Sequence, residues 1–232
     1  MNDLRIMGGI SALIGALTYI VGFALAMTLL APVWDLEPAQ YVAFLADNQT
    51  LMIAWHLIIY LINAVFLVIL VIALHERLNA GASGMMKTAT AFGLIWAGLV
   101  IASGMLIIND LAVIADLYSK DPVQATSASI TLSAVEDGLG GAVELPGGLW
   151  ILLVSWVALQ VKRLPKALNY LGILIGVAGI VTVIPALYEA GTIFGLGFIV
   201  WFTWVGIVLL RNGSDNISES YTPISSQLRP VG

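Results

Sequence analysis

The stretch LMIAWHLIIYLINAVFLVILVIAL, residues 51–74, contains no Lys, Arg, Asp or Glu. At a rise of 1.5 Å per residue, about 20 residues cross ~30 Å of hydrocarbon as a helix. Lipid offers the backbone no hydrogen-bond partners, so such a run must satisfy its own N–H and C=O groups. Five further runs are similarly apolar: residues 6–31, 88–108, 142–161, 167–187 and 191–210. The sequence predicts an all-α integral membrane protein, a six-helix bundle over residues 1–211. A cytoplasmic tail at 212–232, rich in Ser, Asn and Pro, reads as flexible.

The basic residues orient the bundle. Arg5 precedes the first run, and Arg77 and Lys87 lie between the second and third. Lys162, Arg163 and Lys166 separate the fourth and fifth, and Arg211 and Arg229 follow the sixth. Only Lys120 falls in an odd-numbered connection. The positive-inside rule then puts both termini in the cytoplasm, with an acidic outer face, in a bacterial cytoplasmic membrane. The first run has the n-, h- and cleavage-like features of a secretory signal (Arg5, an apolar stretch, Ala24-Leu25-Ala26). It continues through Met27, Leu29, Leu30 and Ala31, as a membrane helix does.

Of 232 residues, 60% are hydrophobic and 10% charged, against about a quarter charged in a soluble domain. One membrane domain uses nearly the whole chain. The absence of Cys excludes thiol nucleophiles, disulfides and thiolate metal sites. A net charge of −5 without a basic patch argues against nucleic-acid partners.

The connections carry structure of their own. Glu37-Pro38 reads as a helix start, with Tyr41, Phe44 and Leu45 on one face and Asp47-Asn48 closing it. A short helix at the outer interface is expected, an ordered loop being the alternative. Across 109–141, Leu111, Ile114, Leu117 and Tyr118 keep helical period. Asp121-Pro122 resembles an N-cap followed by Pro at N1, and Ile130, Leu132 and Val135 precede Gly138, Gly140 and Gly141. Helices three and four are therefore expected to extend beyond the membrane or to fold back as an outer helical cap. Tight cytoplasmic turns are expected at 79–84 and at Leu164-Pro165.

Small residues spaced by four (Ser11 with Gly15, Gly172 with Gly176, Gly191 with Gly195) let helix backbones approach. They serve either internal packing or a face for a membrane-protein partner or homo-oligomer. Gly8, Gly15 and Thr18 recur as Gly172, Gly179 and Thr182, the pattern of an internal repeat.

The polar residues of the spans gather toward the outer leaflet. His56, Tyr60 and Asn63 share a helical face. Asp110 ends span three on the face of Ser103 and Trp96. Glu136 and Asp137 lie before span four, and Glu144 enters it on the face of Gly148 and Ser155. Glu189 closes span five above Pro185 and Thr182. The functional reading is an outward-open vestibule that draws in cations and suits proton exchange, with His56, Glu144 and Glu189 as candidate ligands of a divalent metal. The structural reading is that the carboxylates reach headgroups and water, while His56 and Asn63 pair between helices. Glu144-Leu145-Pro146-Gly147-Gly148 and Pro185 mark a kink or a break. Trp34, Trp55, Trp150, Trp201 and Trp204 fit interface belts or a cavity lining, and Trp96 and Trp156 lie deeper, as inside packing.

No charge falls at the centre of a span, which argues against a Schiff-base lysine or a voltage sensor. His56 and His75 are too few and too far apart for bis-His haem, and no phosphate loop, HExxH or GxSxG motif occurs. No cofactor is expected.

Two segments carry a family likeness: Leu164-Pro165-Lys166-Ala167-Leu168-Asn169-Tyr170-Leu171-Gly172, and Glu136-Asp137-Gly138-Leu139-Gly140 leading into span four. Over residues 5–211 the chain resembles a bacterial membrane family defined as a domain of unknown function with about six helices. Similar proteins carry a His near the second segment, and this chain does not. The resemblance implies no activity. The first expectation is a non-enzymatic membrane protein, either an accessory subunit of a larger complex or a binder of lipid or an apolar ligand. The alternative is a small transporter or channel with an acidic outer vestibule. A third is an outer-leaflet lipid-modifying enzyme using His56 and nearby acids.

Overall fold

The computed structural model describes residues 2–33, 35–79, 83–141 and 144–211. The expectations for Trp34, for residues 80–82 of the predicted turn and for the tail at 212–232 fall outside the described residues. Within them every regular element is helical. Helix α1 (Asn2–Leu25) runs on through a π-helical turn (Ala26–Leu30) and a 3-10 turn (Ala31–Val33). Then come α2 (Pro38–Asp47), α3 (Gln49–His56), a second π-helical turn (Leu57–Ile62) and α4 (Asn63–Leu78). Helix α5 (Ser83–Lys120) is followed by α6 (Pro122–Glu136), a π-helical turn (Asp137–Gly141) and α7 (Leu145–Val161). The chain closes with α8 (Lys166–Val181), a 3-10 turn (Pro185–Leu187) and α9 (Ala190–Arg211).

Helices pack in chain order about a common centre. Helix α1 packs on α4, α4 on α5, α5 on α7, α7 on α8 and α8 on α9, and α9 returns to α1. Aromatic rings fill the centre. Phe198 lies 4.6 Å from Phe202, 4.7 Å from Phe194 and 5.3 Å from Trp96, centroid to centroid. Trp150 and Trp201 complete the cluster and are fully buried. The outer surface is apolar too: Leu17, Val65, Met105, Leu174 and Ile193 are each more than half exposed, while Ser11, Thr18, Asn63 and Ser155 are buried. Four segments are long and apolar enough to cross a membrane: Asp3–Val33, Gln49–Leu78, Gly84–Lys120 and Ala190–Arg211. With its apolar exterior, the chain is a membrane protein. Helices α7 and α8, of 17 and 16 residues, are also apolar but span only ~24–26 Å at 1.5 Å per residue.

The run at 167–187 is not one helix. Helix α8 stops at Val181, where the N–H and hydroxyl of Thr182 both donate to the Gly179 carbonyl. Pro185, lacking an N–H, begins a 3-10 turn instead. Helix α5 continues past the apolar run that ends at residue 108, as expected, and reaches Lys120, about 57 Å in all at 1.5 Å per residue. Asp121 caps α6 by accepting from the Val123 and Gln124 N–H groups, with Pro122 at N1. The far half of α5, α2 and α6 form a cap with its own small cores, one around Leu45, Met52, Ile107 and Leu111, the other around Val42, Ile114 and Ala125. The expected helix after Glu37-Pro38 is α2, and Tyr41, Phe44 and Leu45 pack inward from it. Trp96 packs inside as expected. Trp156 does not: it is 49% exposed, on the outer face of α7.

The charges divide between the two ends. Arg77 Nη2 donates to the Arg163 carbonyl at 3.3 Å, and Arg5 lies near enough to Arg77 for charge repulsion. Arg5 itself donates to the Leu209 and Leu210 carbonyls, closing the C-terminal turn of α9 against α1. Asp110, Glu136, Asp137 and Glu144 gather at the opposite end, beneath the cap.

Close approach is most severe between α7 and α8. A Cβ at Gly148 would lie 2.7 Å from the Ile180 nitrogen and 2.8 Å from the Gly176 oxygen, and one at Gly176 would lie 2.6 Å from Leu152 Cβ. Gly15 and Gly195 likewise face rings of neighbouring helices, Phe202 and Phe23. These small residues thus serve packing within the chain. We predict that Gly176→Val lowers stability by at least about 1–3 kcal/mol through overpacking. At Gly98, where a Cβ meets nothing within 4 Å, Gly98→Ala raises it by about 0.5–1 kcal/mol. Thermal unfolding of the detergent-solubilised protein reads both.

Candidate ligand-binding site

A π-helical turn bonds i to i+5, widens the helix and shifts the face on which later residues fall. The turn Leu57–Ile62 packs against α1, whose own π turn begins at Ala26. Between these wide turns and α5 lies a cavity of about 240 Å³. Thr18, Tyr19 and Phe23 line it from α1, Trp55, Tyr60 and Asn63 from α3, the π turn and α4, and Trp96 and Val100 from α5; Glu144 lies at its edge. Gly104 lets the π turn press against α5, since a Cβ there would fall 2.5 Å from Tyr60 Cβ.

The cavity's polar groups are held by one device used twice. Thr18 Oγ1 donates to the Gly15 carbonyl at 2.8 Å and accepts from Asn63 Nδ2 at 2.6 Å. Thr182 Oγ1 donates to the Gly179 carbonyl at 2.7 Å and accepts from the Glu144 backbone N–H at 2.9 Å. The repeat of Gly15 and Thr18 as Gly179 and Thr182 therefore marks two equivalent hydroxyl anchors. Held by its backbone, Glu144 accepts the Trp96 indole N–H on its carboxylate. The indole nitrogen of Trp55 is buried and has no partner.

A second, smaller cavity of about 90 Å³ lies under the cap, lined among others by Tyr41, His56, Asp110, Ser129, Ser133 and Glu136. His56 Nδ1 lies 2.7 Å from the Met52 carbonyl. A carbonyl only accepts, so Nδ1 carries a proton. The ring stacks on Tyr60 at 5.9 Å and 18°, which makes His56–Tyr60 the partition between the two cavities. Glu136 and Asp110 bring their carboxyls within hydrogen-bonding reach of each other, and Asp110 Oδ2 is buried without a partner. Burial first, then the Asp110 charge and this contact, push Glu136 up to about 7. Burial also raises Asp137, and burial with the Glu136 charge raises Tyr41.

The sequence-predicted residues thus separate into two groups. Tyr60, Asn63 and Glu144 meet at the large cavity, and His56, Asp110 and Glu136 at the small one. Asp137 lines a groove between α2 and α6 with Tyr41 and Ser133. Glu189, between α8 and α9, reaches neither cavity. Among the described residues no three His, Asp or Glu side chains stand close enough to hold a metal ion, so His56, Glu144 and Glu189 do not form one centre. Thr18, Tyr19, Phe23 and Trp96 are site residues that the sequence reading did not place there.

A carboxyl whose folded pKa lies above its unfolded one stabilises the fold below the unfolded value and loses that contribution as pH rises through the folded value. We predict that stability falls as pH rises from 4.5 to about 7, and that Glu136→Gln flattens this part of the profile. Melting temperatures across that range check it.

Among curated proteins and among solved structures, nothing matches this chain. The model of one family, described as Domain of unknown function (DUF4386), matches residues 7–213. That match covers most of the chain and agrees with the resemblance carried by its two segments, and the chain belongs to this family.

Proposed function

We propose that the protein binds a small amphiphilic molecule in the cavity between α1, the π turn and α5, and that it is a binding protein rather than an open channel or an enzyme. The cavity itself carries the reading: it combines an apolar aromatic wall with a few anchored polar groups, the composition of ligand sites. Below Asn63 the bundle centre is filled by Phe194, Phe198, Trp201 and Phe202, all nearly free of solvent contact, which among the described residues blocks the way on to the basic end. The helix-packing glycines are engaged within the chain, which favours a ligand over a partner helix as the cavity's occupant. Val100→Phe fills the cavity from α5. We expect a small molecule retained by the wild-type protein in native-membrane discs, seen by native mass spectrometry, to be lost in this variant. A wild-type protein that carries nothing, or equal retention in the variant, would refute the reading.

The same proposal sets the protein in the bacterial cytoplasmic membrane with six crossings, α7 and α8 being the two short ones, and with the basic end in the cytoplasm. The gathering of Arg5, Arg77 and Arg163 at one end and of the acids beneath the cap at the other supports it. The lack of Cys makes a direct test simple. In intact cells an impermeant maleimide is expected to label Ser127→Cys, on α6, and to label Lys166→Cys only after permeabilisation. The reverse pattern inverts the topology.

A further inference from the structure

Glu144 sets the chemistry of the large cavity. Its backbone N–H is fixed by Thr182, and its carboxylate accepts the Trp96 indole N–H. Among the described residues that line the cavity there is no Lys, Arg or His. A carboxylate confined in an apolar wall without a counter-ion is unfavourable, and a bound cation relieves it. The rest of the wall suits a cation of one kind. Tyr19, Phe23, Trp55, Tyr60 and Trp96 bring five aromatic rings to one small volume, and aromatic faces attract poorly hydrated organic ammonium groups. A small, strongly hydrated metal ion would need more oxygen ligands than one carboxylate supplies.

The size of the cavity suits a compact cation. A cavity of about 240 Å³ leaves room for a methylated ammonium on a two-carbon stem.

We propose that this cavity receives an alkylammonium group, of the choline or ethanolamine type, with Glu144 as the counter-charge and the aromatic rings as the cage. This rests on the cavity being a binding site. The group is either a free solute or the headgroup of a phospholipid, and the two are separable.

The test uses the full chain in nanodiscs of phosphatidylglycerol, which carries no ammonium. Choline is titrated by calorimetry beside its uncharged isostere 3,3-dimethylbutan-1-ol, and parallel discs contain phosphatidylethanolamine, whose retention is read by native mass spectrometry. Choline is expected to bind at least ~10-fold more tightly than the isostere, and Glu144→Gln to weaken it by a similar factor. Glu144→Asp restores part of the loss. Because Glu144 is anchored through its backbone, Glu144→Gln keeps that bond, and an unchanged melting curve verifies the fold. Choline binding identifies a free solute. Phosphatidylethanolamine retained by the wild type and lost in Glu144→Gln, without choline binding, identifies a headgroup. Equal binding of choline and isostere, or no effect of Glu144→Gln, overturns the ammonium assignment and leaves the cavity reading intact. Absence of binding by choline and phosphatidylethanolamine alike overturns the ammonium assignment, and the Val100→Phe comparison then decides separately whether the cavity holds any ligand.

Discussion

Helices α7 and α8 touch backbone to backbone at Gly148 and Gly176, and the site depends on that contact. In lipid, helices gain little from the hydrophobic effect on meeting, so van der Waals contact at close range must hold them together. Helices α7 and α8, of 17 and 16 residues, have little length over which to make such contact, and glycine lets them make it at close distance. Their approach brings the start of α7 beside Thr182 at the end of α8. The Thr182 hydroxyl then takes the Glu144 N–H, and the carboxylate falls against Trp96. Separating the two helices would dissolve the polar edge of the large cavity.

Charge is stratified along the bundle, and each end handles it differently. At the basic end, Arg5 and Arg77 donate to main-chain carbonyls of other segments, so cations tie helix ends and a turn together. At the acidic end, main-chain donors are mostly used within helices; the Glu144 carboxylate takes an indole N–H, while Asp110 Oδ2 is buried without a partner. The cap formed by α2, α6 and the far half of α5 covers that end and partly buries Glu136, which moves its titration toward neutrality. The aromatic centre below Asn63 separates the two strata.

Much of the architecture was legible in the sequence because its signals are local. Apolar length marked each membrane-type helix, Asp121-Pro122 marked the start of α6, and Glu37-Pro38 that of α2. The fifth run misled because hydropathy persists through Thr182 and Pro185 while the hydrogen-bonding pattern does not. Trp156 misled because depth along a helix does not say which way a ring points. The candidate site was half legible. His56, Tyr60 and Asn63 share a face in an ideal α-helix, but the π turn between them changes the period. Tyr60 and Asn63 then line one cavity while His56 turns to the other. Asp110 and Glu136, 26 positions apart in the chain, meet only because α6 folds back along α5.

By itself the sequence determined the helical, membrane-embedded class of this chain, the division of its charges and the punctuation of most helices. Hydropathy, caps and prolines act within a few residues and do not depend on distant partners. Only the tertiary structure decided which helices pack together, which of the polar residues share a cavity, and that five aromatic residues and one carboxylate line the same cavity. Those outcomes depend on how close two backbones come and on the rotation of each helix about its axis, and both are set by side chains far apart in the chain.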